Sequence, residues 1–120
     1  MSAFHCDLSR IVGLDLAPGA LDALEWKELG RGVGIATLKR DGDTALVLYR
    51  VAEDAPQDAF TSHHHPGGEL YLVLKGAIGD EDGTYGAGSL VWLPPGSRHT
   101  PRARGATIVL VLWPGGVRLD

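Results

Sequence analysis

The chain has 120 residues, 44% hydrophobic and 22% charged, the composition of one ordinary globular domain rather than a disordered or coiled-coil chain. Its formal net charge of −4 leaves no broad basic field for a nucleic-acid backbone. No apolar run approaches the ~20 residues needed to span a bilayer, so neither nucleic acid nor membrane is an expected partner.

The opening residues do not join a basic stretch to an apolar one, so no secretory signal is expected. Cys6 is the only cysteine, which excludes an intrachain disulfide and a cysteine-based zinc site and points to the cytoplasm. Pro18-Gly19 is a turn signal, and Pro18 to Leu24 reads as one short helical turn or as chain wrapping the domain. Residues 1–24 are therefore expected to form an N-terminal arm ahead of a single β domain over 25–120.

From residue 25 onward the pattern is that of strands. Leu24 to Leu29 alternates, Gly34 to Lys39 is strand-like, and Asp41-Gly42-Asp43 signals a hairpin before Ala45 to Val51. Phe60–His65, Glu69–Lys75, Ala77–Asp80, Ser89–Leu93 and Thr107–Trp113 continue the series. Seventeen glycines and seven prolines supply the turns between them. Regular short strands with no long helical period predict an all-β sandwich or barrel. Ala45–Leu48, Leu70–Leu74 and Ile108–Trp113 are apolar on both faces. A barrel buries only one face, so the second predicts cover by a partner copy in a homodimer, or by the N-terminal arm.

The chemistry concentrates in His63-His-His65-Pro-Gly-Gly-Glu69. Side chains alternate along a strand, so His63 and His65 face one centre while His64 faces away. The Pro-Gly-Gly turn reverses the chain and returns Glu69 as an oxygen donor. His99, after Pro94-Pro95-Gly96, is placed to add a third imidazole. Three imidazoles and one carboxylate suit a divalent transition metal with positions left for water or a ligand. Strand parity puts Tyr71 and Val73 on the same face as Glu69. Tyr71 is a candidate hydrogen-bond donor to a bound oxyanion, or a catalytic acid, beside the simpler role of barrel packing. Trp92 is a further candidate for the pocket, and Arg98 and Arg102 flank His99 and could steer an anion, although exposed arginines are ordinarily solvated.

These residues resemble the cupins. The first cupin motif, G-x5-H-x-H-x3-E-x6-G, is met by His63, His65, Glu69 and Gly76. The second, G-x5-P-x-G-x2-H-x3-N, is met by Gly88, Pro94, Gly96 and His99. Gln57 stands in place of the opening glycine and Ala103 in place of the closing asparagine, departures that touch turn geometry rather than metal donors. The run from His65 to Gly76, with Asp80–Ser89 and Pro94–Pro101, is similar to the ChrR-like cupins, which include the C-terminal domain of ChrR-type anti-sigma factors and are similar to acetylacetone dioxygenase-like proteins.

The resemblance implies a small RmlC-like jelly-roll barrel with His63, His65, Glu69 and His99 as metal donors. Fe2+ or Zn2+ is the expected ion, with Mn2+ or Ni2+ also compatible. Two functions follow. The first expectation is a dioxygenase-like oxidoreductase acting on a small diketone or related anionic compound. The alternative is a non-catalytic zinc-binding sensor of the ChrR type. The separate zinc domain with which ChrR-type regulators hold a sigma factor is not expected in the 24 residues before the barrel. Competing motifs fail: Gly30-Arg-Gly-Val-Gly34 does not match a dinucleotide loop, and Asp80-Glu-Asp-Gly83 reads as a turn rather than a calcium loop.

Overall fold

The computed structural model describes residues 21–56, 58–60 and 62–119. The expectations for Cys6, Pro18-Gly19 and Gln57, and most of the proposed arm, lie outside these residues. Twelve strands are present among them: β1 (Lys27–Gly30), β2 (Val33–Asp41), β3 (Thr44–Val51), β4 (His63–His65), β5 (Glu69–Lys75), β6 (Ala77–Asp80), β7 (Gly83–Gly86), β8 (Leu90–Leu93), β9 (Ser97–His99), β10 (Arg102–Ala103), β11 (Thr107–Trp113) and β12 (Arg118–Leu119). They form a six-stranded sheet in the order β1-β2-β3-β11-β5-β8 and two three-stranded sheets, β10-β6-β7 and β12-β4-β9. Every pairing is antiparallel, as a jelly roll requires.

Period-two alternation decides what is buried. β11 lies between β3 and β5, with Val111 opposite both Val47 and Tyr71, and Val109 opposite Tyr49 and Val73. This face joins Trp113 and Ala45 with Ile78 of the second sheet in the interior cluster, against which Tyr85 packs. The other face carries leucines in cross-strand rows. Leu48, Leu110, Leu72 and Leu90 form one row, and Leu46, Leu112, Leu70 and Trp92 the next. Leu21, Leu24 and Trp26 pack over part of this face, while Leu90 and Trp92 at the β8 edge are 66% and 53% exposed. The expected second apolar face is therefore real, and it is covered near β2 and β3 and open at β8.

Strand β1 begins later than its alternation suggested, because Leu24 and Trp26 are used to cover the outer leucines before pairing starts. The short strands β7, β9, β10 and β12 were not anticipated. Two to four residues rich in Gly, Arg and Ser carry no readable period of their own, and their neighbours define them.

Gly76, the glycine that closes the first motif, turns the chain from β5 into β6 at φ +76°. A Cβ there would run into the Ala106 carbonyl oxygen and lie 2.5 Å from Thr107 Oγ1. That hydroxyl is already engaged, donating to Gly105 O at 3.0 Å. Gly76→Ala therefore combines left-handed strain with overpacking, and we expect it to destabilise the fold by about 3 kcal/mol. A denaturant midpoint within experimental error of the parent would contradict this account of the turn.

Candidate metal centre

β4 and β9 pair so that His63 lies opposite His99 and His65 opposite Ser97. Alternation along β4 turns His63 and His65 inward and leaves half-buried His64 on the other side. The turn after β4 brings Glu69 in at the first residue of β5. It is tight enough to need glycine, since a Cβ on Gly67 would stand 2.7 Å from the backbone nitrogen of Gly115. His65 is fully buried, and Glu69 and His99 are each 5% exposed.

The donor atoms converge. His99 Nε2 lies 2.9 Å from His63 Nε2, His65 Nε2 lies 3.0 Å from Glu69 Oε2, and His99 Nε2 lies 3.8 Å from Glu69 Oε1. One donor atom from each of the four residues falls within 4.8 Å of the others. Two ligands about 2.1 Å from one ion and at right angles to each other stand about 3.0 Å apart, so the two shortest spacings suit neighbouring positions of a six-coordinate ion. The donor set fits a divalent metal.

The groups behind the donors fix their orientation. His99 Nδ1 lies 3.2 Å from Asp80 Oδ2; a carboxylate only accepts, so Nδ1 carries the proton and Nε2 presents its lone pair to the centre. Asp80 Oδ1 also accepts from the Asp82 amide at 2.8 Å, closing the β6–β7 turn. His65 Nδ1 lies 3.1 Å from Ser97 Oγ, which can take its proton in the same way. Trp113 Nε1 donates to Glu69 Oε2 at 2.6 Å. Burial by itself would raise the Glu69 carboxyl. The His65 hydrogen bond, the Trp113 N–H and the charge that His65 and His99 carry when protonated outweigh burial and hold it below its ordinary value.

Beside the four donors lies a chamber of about 210 Å³. Tyr71 lines it, two residues beyond Glu69 on the same face of β5, only 2% exposed and with no hydrogen-bond partner for its hydroxyl among the described residues. Burial, with Asp80, Glu69 and Tyr85 adding to it, pushes the Tyr71 phenol well above its ordinary value and keeps it a donor. Tyr49, also in the lining, is raised by burial and then by Glu69. Val73 is fully buried in the interior cluster below. Trp92 is not in the chamber: opposite Leu70 on β8, it lies on the outer face. Arg98 and Arg102 are exposed and outside the chamber lining.

The structure brings together the four residues that the sequence named, with Tyr71 beside them, and adds Asp80, Ser97, Trp113 and Tyr49, which the sequence did not assign to the site. Ser97 had a faint signal, standing two residues before His99 and so on the same face of β9. Asp80 had been read as a turn residue, which is half of its role.

A family model described as the ChrR Cupin-like domain matches residues 17–116. The chain belongs to that family. Anti-sigma-E factor ChrR of Cereibacter sphaeroides is 38% identical to this cupin over 84 residues, 69% of this chain and 38% of the relative. The crystal structure of Rhodobacter sphaeroides SigE in complex with the anti-sigma ChrR superposes with a TM-score of 0.67 and 34% identity, over 78% of this chain and 50% of that one. The cupin here therefore spans half or less of these relatives. A putative acetylacetone dioxygenase from Methylibium petroleiphilum superposes with a TM-score of 0.73 at 17% identity, covering 83% of this chain and 77% of that one, a likeness of fold alone.

If the four residues bind one ion, His99→Ala should abolish stoichiometric metal binding, measured by competition with a chromophoric chelator. Asp80→Asn keeps an acceptor for the Asp82 amide but loses the charge behind His99, and should weaken binding by about 10- to 100-fold. Metal held by His99→Ala as tightly as by the parent would refute the centre.

Proposed function

We propose that this cupin is a regulatory metal-binding sensor, in which His63, His65, Glu69 and His99 hold zinc and the adjoining chamber admits a small molecule. The observation that carries this reading is the 38% identity to an anti-sigma factor over most of the chain, together with the intact four-donor cluster. The unit in question is one barrel over residues 25–120 with residues 1–24 as its arm, working in the cytoplasm. Among the described residues no helix is long and apolar enough to cross a membrane.

A bound divalent cation would supply a Lewis-acidic site for an oxygen donor. The protein's part is to hold the imidazoles in one tautomer through Asp80 and Ser97, to exclude water by burial, and to offer the Tyr71 hydroxyl to the ligand. Such a module changes the affinity of a protein partner if the ligand prefers one of two arrangements of the barrel. The leucine rows that end in exposed Leu90 and Trp92 support a homodimer through this face.

The dioxygenase reading keeps one observation in its favour: the donors open onto a chamber of molecular size rather than being sealed by side chains. The two readings separate in one experiment. Protein purified without a polyhistidine tag or chelator is expected to carry stoichiometric zinc that survives dialysis and to consume no oxygen with acetylacetone. Iron in its place, with oxygen uptake that stops when His99 is replaced by alanine, would overturn the sensor reading.

A further inference from the structure

The chamber is divided by chemistry. The polar residues in its lining are His63, Glu69, His99, Tyr71 and Tyr49. The rest of its wall is hydrocarbon and aromatic, including Phe60, Ile78, Val109, Val111, Val117 and Trp113. Among the described residues no lysine or arginine lines it. Leu29 and Leu119, 50% and 73% exposed, also belong to the lining and so stand at its mouth.

A ligand with a second charge, or with hydroxyls along its length, would leave those groups unpaired against this wall. That disfavours dicarboxylates, phosphorylated compounds and sugars. A space of about 210 Å³ has room for a compact molecule. Tyr71 lines the chamber, and its hydroxyl is buried with no hydrogen-bond partner among the described residues, which is rare for a phenol in a folded protein. A divalent ion held with Glu69 retains one net positive charge, which a single carboxylate neutralises.

We propose that the chamber takes a compact hydrocarbon monocarboxylate, its headgroup shared between the metal centre and the Tyr71 hydroxyl and its body among Ile78, Val109 and Val111. His63, His65, Glu69 and His99 would hold the ion that neutralises the headgroup, and the Tyr71 hydroxyl would donate to the carboxylate as a binding and specificity residue. This rests on the metal-centre reading above and narrows the ligand that the site would sense.

The test is calorimetry of the full chain loaded with zinc, its metal content measured first, titrated in turn with hexanoate, glutarate and 6-aminohexanoate. Hexanoate is expected to bind one molecule per chain. Glutarate and 6-aminohexanoate, of similar size but with a charge at the far end, are expected to bind at least tenfold more weakly. Tyr71→Phe should retain its zinc and lose about tenfold in hexanoate affinity. Zinc at full occupancy with no hexanoate binding, or with glutarate binding equally well, overturns the ligand class and leaves the metal centre standing. Unchanged affinity in Tyr71→Phe removes the tyrosine from the proposal. A chain that takes up no zinc overturns the metal reading, and this inference with it.

Discussion

Four buried polar groups converge at one point, and the surrounding structure is arranged around that constraint. An imidazole facing another imidazole at 2.9 Å has no good arrangement unless a proton or a cation lies between them. Proton sharing can settle that pair, and His65 Nε2 at 3.0 Å from Glu69 Oε2 can settle another, whereas one divalent ion would serve all four donors together. The outward nitrogens of His65 and His99 are each given a fixed partner, and the indole N–H of Trp113 engages one oxygen of Glu69. The inner ring of donors is determined by what stands behind it.

This arrangement explains why two of the three sheets are so small. The sheet β12-β4-β9 exists to set His63 opposite His99, and β10-β6-β7 brings Asp80 behind His99 and Ile78 into the interior. Rigidity comes from the six-stranded sheet, whose inner rows of Val47, Val111 and Tyr71 supply the floor. Tyr71 belongs to both parts: its ring is core and its hydroxyl is site.

The donors were legible in sequence because their spacing is local. An H-x-H pair on a strand and a Glu after a glycine turn need only the two-residue period and one reversal, and His99 was reached through its proline-glycine turn. The fold class was legible for a similar reason, since β3, β5 and β11 each carry their own alternation. Asp80, Ser97, Trp113 and Tyr49 were not, because their roles depend on register between strands distant in sequence. Trp113 meets Glu69 across 44 positions, and nothing in Thr107–Trp113 distinguishes a terminal tryptophan that packs from one that also donates. Trp92 shows the same limit in reverse. Its facing follows from being paired with Leu70, an outer residue, and that pairing is visible only once β5 and β8 are side by side.

Asp80 gives one carboxylate to two tasks, one oxygen closing the β6–β7 turn and the other holding His99. Closure of that hairpin and the binding of an ion by the four donors would therefore be linked equilibria. Whatever free energy an ion lends to the closed turn, the closed turn returns to the ion. A loop on the surface of the second sheet would thereby be coupled to an ion held by the four buried donors, without any change of shape having to travel between them.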